Sequence, residues 1–182
     1  MYKAMLNFEA RPAEELKSFL EEKLGNKINN NIEIRARTAG KEEKVAFHDL
    51  WISCSKDALI ELVDLLSEFD FPIFHVISGD DVGDCILLNY HFSLFSSAGR
   101  GKRLGVVVSV LVPKNELSVP SLYDRIPGIE YSEREMHEML GVFFESLPDR
   151  SLVFLPEDWD EKVHPWRRDE SGLSSRHIRE LS

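Results

Sequence analysis

The sequence predicts an α+β fold: a mixed or antiparallel sheet with helices in the order α-β-β-α-β-β-β, then short helices and an extended C-terminal arm. Three observations carry this expectation. Helical and strand periodicities fall in segregated runs, as α+β chains require. Two long runs rich in β-branched and aromatic residues, "DCILLNYHFSLF" and "RLGVVVSVLVP", flank the glycine-rich "SSAGRGK", which reads as an antiparallel hairpin. From Phe144 onward prolines recur at 148, 156 and 165 and no period is sustained. Proline withholds a backbone donor and its neighbour disfavours helix, so this stretch reads as extended.

Taken in order, Pro12 to Leu24 is a helix. Ala13, Leu16, Phe19, Leu20 and Leu24 share a face, Pro12 suits the first turn and Gly25 the stop. "NIEIRART" alternates, with Ile32, Ile34 and Ala36 opposite Glu33, Arg35 and Arg37, so it is a half-buried strand. "TAGKEEK" turns the chain. "VAFHDLWISC" is the next strand, with Val45, Phe47 and Trp51 as its apolar load. Ser55 is placed to cap a helix over Lys56 to Glu68, where Leu59, Leu62, Val63 and Leu66 keep the helical period. "FPIFHVISG" is a third strand and "GDDVG" a turn. After Pro113, "NELSVPSLYDRIPGIEYSEREMHEMLGV" reads as two short helices, the second over Ile129 to Leu140. The domain division expected is a globular body over 1–143 and an extended docking arm over 144–182.

Composition bounds the function. The 182 residues are 43% hydrophobic and 30% charged, an ordinary globular balance. With 22 basic against 32 acidic residues the net charge is −10, which argues against a nucleic-acid binder. No apolar run approaches the roughly 20 residues of a membrane span, and no basic region precedes an apolar block as in a signal peptide. Cys54 and Cys85 lie apart with no CxxC partner, so two thiols are expected rather than a metal or disulfide site.

The chemistry-bearing stretch is "EREMHEMLGV", Glu133 to Val142. A zinc helix needs two histidines four apart, and four after His137 stands Gly141. A stand-alone metallohydrolase using His137 and Glu138 is therefore the weak alternative. "AGRGKRLG" fails as a P-loop, since Ser96 replaces the first glycine and Arg103 follows Lys102. On a helix Arg134 and Glu138 are four apart and able to pair. The charges read either as a solvated, self-paired face or as a buried ionic dock. Phe144, Phe154, Trp159 and Trp166 lie among prolines and need a surface to cover them, on this chain's own body or on another protein.

Two stretches resemble a known family. "EREMHEMLGVFF" followed by "PDRSLVFLPEDWDEKVHPWRRDE" is similar to the signature region of the thirty-kilodalton subunit of NADH-quinone oxidoreductase, respiratory complex I. It is equally similar to the homologous subunit of membrane-bound, energy-converting nickel–iron hydrogenases. The matching positions are Glu133, Arg134, Glu135, Glu138, Met139, Leu140, Gly141 and Val142. Pro148 and Asp149 follow, then Asp158 and Trp159, then Pro165, Arg167, Arg168 and Asp169. Leu147 stands where the family usually has histidine, and Arg150 and Ser151 depart from its leucine and arginines. The middle segment is closer to the hydrogenase branch.

The resemblance implies a non-catalytic subunit with no cofactor, no metal and no catalytic residue of its own. It implies a place on the cytoplasmic side of the membrane, in the peripheral arm of a complex that couples electron transport to ion translocation. The partners implied are the nickel–iron-hydrogenase-like large subunit and iron–sulfur subunits. Iron–sulfur clusters are implied in that complex, and nickel–iron in its hydrogenase form. The matching positions, Gly141 among them, become candidate partner-binding residues. The thirty-kilodalton subunit of NADH-quinone oxidoreductase proper is the nearest alternative, and an independent peptide-binding adaptor a third.

Overall fold

The computed structural model describes residues 9–41 and 44–177. Part of the "TAGKEEK" turn lies outside the described residues, as does the start of the chain, on which the signal-peptide expectation falls. The element order is α1 (Ala13–Leu24), β1 (Ile28–Ala39), β2 (Val45–Cys54), α2 (Leu59–Leu66), β3 (Ile73–Asp81), β4 (Cys85–Leu94), β5 (Leu104–Pro113), β6 (Ser118–Pro120), α3 (Glu130–Leu140) and β7 (Phe143–Glu145). The α+β class stands. The five long strands form one mixed sheet in the order β1-β2-β5-β4-β3. β1 pairs antiparallel with β2, and β2 parallel with β5.

The chain divides into two compact units. The first holds 1–76 and 89–110. There α1 buries Ala13, Leu16, Leu20 and Leu24, and α2 buries Leu59, Leu62, Val63 and Leu66. Phe19 is half-buried, edge-on to Phe69 at 4.9 Å. β2 departs from expectation. It buries Leu50, Ile52 and Cys54, whereas Val45, Phe47 and Trp51 lie half-exposed on the other face. Arginine is the reason: the Arg35 guanidinium covers the Trp51 ring at 4.0 Å and Arg37 approaches Phe47 at 5.8 Å. Ser55 makes no side-chain cap; its N–H donates to Lys27 O instead, and a 3-10 turn precedes α2. Burial raises the Cys54 thiol to about 12, so it is a neutral core group.

The second unit holds 77–88 and 111–182. "GDDVG" is not all turn, because β3 runs on to Asp81. Gly79 is in the strand for space: a Cβ there would press into Leu140 Cδ1 and meet Met136 Sδ at 2.7 Å. The first of the two helices expected after Pro113 is replaced by a 3-10 turn and the short strand β6. β6 pairs in parallel with β7, Val119 opposite Phe144, and α3 is the crossover that a parallel pair needs. Three-residue strands lack enough alternation to be read from sequence.

Candidate functional site

The site is built around α3, whose buried residues include Glu133, Arg134 and Glu138. Buried charges must find partners, and here each ties α3 to a different segment. Glu133 accepts from Ser121 Oγ at 2.5 Å and from Leu122 N–H at 2.8 Å. Burial pushes its carboxyl up to about 7, against these two bonds. Arg134 does not pair with Glu138. Its Nε donates to Ser151 O at 2.9 Å, and Nη1 lies 3.0 Å from Asp149 and 3.4 Å from Glu130. Asp149 in turn accepts from Ser151 N–H and Oγ, which hold its carboxyl low.

Glu138 is 3% exposed and caps the arm. It accepts the backbone N–H of Val153 at 2.9 Å, of Phe154 at 3.1 Å, and of Leu155. An extended segment leaves such donors unpaired, and one carboxylate satisfies three of them. Glu135 is half-buried, and burial together with the Glu138 charge raises its carboxyl. Gly141 ends α3 at φ +76, donating to His137 O at 2.9 Å. The His164 ring lies where a Cβ would stand, its Nε2 2.6 Å from that point. His164 Nδ1 is 3.0 Å from Glu138 O and His137 Nδ1 is 2.9 Å from Val142 O. A carbonyl only accepts, so each Nδ1 carries the proton.

The far end of the arm is held by Asp81, whose side chain is 1% exposed. Lys114 Nζ lies 2.8 Å from it, and Arg168 N–H and Gly83 N–H donate to it at 2.8 and 3.1 Å. Burial alone would raise Asp81; the donors together hold it below the usual carboxylate range. Asp169 accepts from Arg167 Nη2 at 2.6 Å and Lys114 Nζ at 2.5 Å, and is held far below its ordinary value, with the arginine bond the largest cause. Arg167 also reaches Leu140 O at 3.2 Å, and Trp166 N–H donates to Met139 O at 3.0 Å.

The predicted residues thus gather in one place, and most of their polar contacts are within the chain. Pro148, Asp158 and much of Arg168 are exposed, and Arg168 Nη2 meets Asp80 at the surface. Pro165 is half-buried. The four rings of the arm split. Phe144 is fully buried and Trp159 is half-buried, its Nε1–H on Val163 O at 2.7 Å. Phe154 and Trp166 are 63% and 44% exposed. Asp81, Lys114, Ser121, Ser151 and His164 escaped the sequence reading. No spacing rule connects Asp81 to an arginine 87 residues on.

A cavity of about 790 Å³ opens between α3 and the arm, lined in part by His137, Glu138, Trp159 and His164. Among the described residues no group of three histidine, cysteine or acidic side chains is placed to hold a metal, and no helix is long and apolar enough to cross a membrane.

A helix whose buried charges fasten an extended arm defines a structural module. Residues 52–175 match the family described as the respiratory-chain NADH dehydrogenase 30 Kd subunit, and the chain belongs to that family. It is 31% identical to membrane-bound hydrogenase subunit beta of Pyrococcus furiosus, over 87% of this chain and 90% of that one. It is 29% identical to formate hydrogenlyase subunit 5 of Escherichia coli over 70% of this chain, but spans only 22% of that longer protein. An NADH-quinone oxidoreductase subunit of Mycolicibacterium gilvum is 26% identical, with 70% of this chain matched to 57% of its own. The fold is shared with a chain in the structure of the membrane-bound sulfane sulfur reductase, an archaeal respiratory membrane complex. The TM-score is 0.64 at 19% identity, covering 90% of this chain and 87% of that one. The resemblance read from the signature residues is borne out.

Proposed function

We propose that this chain is a non-catalytic structural subunit in the peripheral arm of a membrane-bound oxidoreductase complex of the energy-converting hydrogenase type, docked on the hydrogenase-like large subunit. The carrying observation is the match to membrane-bound hydrogenase subunit beta along 90% of that protein's length. The match to formate hydrogenlyase subunit 5 supports docking, because there the equivalent stretch is continuous with a much longer polypeptide. Two domains joined in one chain in one relative are natural partners when separate in another.

The geometry supplies a route. Arg134, Glu138 and Arg167 act from inside, fastening the arm to α3 before any partner arrives, while Glu133 ties α3 to Ser121 and Leu122. Phe154 and Trp166 then face outward on a preformed surface, and preorganisation lowers the entropic cost of binding. The electron-transfer groups belong to the neighbouring subunits, and this chain sits on the cytoplasmic side as a peripheral component.

Purifying the full chain through a tag from membranes of its own host, with mass spectrometry of what co-elutes, tests this. A hydrogenase-like large subunit should appear in matching amount, with nickel-ligating cysteines in the hydrogenase form. A large subunit lacking them, beside NADH-oxidising subunits, would instead select the thirty-kilodalton subunit of NADH-quinone oxidoreductase. Recovery of this chain alone from gently solubilised membranes would refute both.

A further inference from the structure

We infer that the cavity between α3 and the arm is a receptor for a basic side chain, an arginine of the docked partner protein. The inference rests on the docking proposed above and names the chemistry of one contact in it. Three carboxylates line the cavity: Glu138, Glu157 and Glu161. Glu138 is buried, and its bonds are to backbone N–H groups, which leave its charge uncancelled. Among the described residues, none of the three forms an ion pair with lysine or arginine. The guanidinium on the wall, Arg150, is turned to other partners. Its Nη2 donates to Phe144 O at 3.0 Å and its plane lies 4.4 Å from the Phe143 ring centre.

The remaining lining suits the same occupant. His137 and His164 use Nδ1 against carbonyls, so the ring nitrogen each has left is Nε2. Trp159 is fixed by its bond to Val163 O and adds an indole, to which a guanidinium is attracted. Acceptors, negative charge and a flat aromatic group fit a planar, five-donor cation better than a compact ammonium. The acid excess is local. The second unit's sequence carries 9 basic against 18 acidic residues, the first unit's 13 against 14, so nine of the ten net negative charges belong to the unit that holds the cavity.

The test uses the assembled complex, purified through a tag on this chain. Glu157→Lys together with Glu161→Lys places positive charge at two exposed positions that make no structural bond. Retention of the large subunit should weaken about tenfold or more. The same charge change on the first unit, Glu22→Lys with Glu68→Lys, should leave it unaltered. Unchanged thermal unfolding of the isolated variants confirms that both pairs fold. A photo-crosslinking residue at Glu161 should trap a partner peptide containing arginine. Undiminished assembly of the Glu157 and Glu161 pair overturns the inference, as does a crosslink within this chain or to a segment without a basic residue. Failure of the unaltered chain to retain any large subunit overturns the docking itself.

Discussion

The two units use charge in opposite ways. In the first, ion pairs are local or superficial: Lys17 with Glu21, Lys27 with Glu61, Arg35 with Glu33, all well exposed. Apolar faces of α1, α2, β2 and β5 hold that unit, and its ion pairs decorate it, although Asp70 is buried and accepts the Phe95 N–H. In the second, buried charges reach far along the chain, from Asp81 to Lys114 and Arg168 and from Arg134 to the more exposed Asp149. Its C-terminal arm has too little periodic apolar surface to fix itself, so hydrogen-bonded charges supply its register. Burying charge costs several kcal/mol per ion before pairing, which makes such an element sensitive to the loss of any one partner.

That contrast is tested most harshly at Asp81. Asp81→Ala leaves the Arg168 and Gly83 N–H groups without their acceptor and Lys114 with Asp169 alone, and should destabilise the protein by about 3 kcal/mol or more in urea unfolding. Arg35→Ala in the first unit should leave the urea midpoint close to wild type, because its pair is exposed. Equal effects would erase the distinction. The Asp81 carboxyl is depressed in the folded state, so its contribution is present above the ordinary aspartate value. It is lost as pH falls through the lower folded value, and the two proteins should converge in acid.

Glu133 gives the opposite slope. Its folded value is raised to about 7, so the folded state holds the proton more tightly than the unfolded chain. Stability therefore falls as pH rises from the ordinary glutamate range toward 7, and the loss is complete above it. Glu133→Gln removes that slope. It should match the wild type near about pH 5 and exceed it by about 2–3 kcal/mol near about pH 8. Parallel pH profiles for the two proteins would show that Glu133 is charged throughout.

The smallest effect concerns close packing. Gly79→Ala pushes against the ends of Leu140 and Met136 and should cost about 1–2 kcal/mol. Gly128→Ala meets nothing within 4 Å and serves as the neutral control. Thermal melts of both variants separate a space requirement from general glycine loss.

The same contrast explains what was legible in the sequence. The periods of α1, α2 and the long strands encode burial directly, so order and class could be read. Trp51 and Phe47 misled because arginines cover them from the solvent side. Gly79 passed for a turn residue because its requirement is imposed by α3, far along the chain. In the site, the motif located Glu133, Arg134, Glu138 and Arg167 but not what they do. Their partners are a hydroxyl, backbone N–H groups and carbonyls, which leave no mark in residue spacing. An arm fastened by Glu138 and an arm reserved for a partner have the same sequence.

Hydrogen exchange on the free chain and on the assembled complex tests the central claim, that the second unit presents the docking face through an arm already fastened to α3. In the free chain the amides of 153–155 should already be protected by Glu138, and assembly should add protection across the arm, from 154 to 168, with the first unit little changed. Amides at 153–155 that exchange freely until assembly, or new protection confined to the first unit, would contradict it.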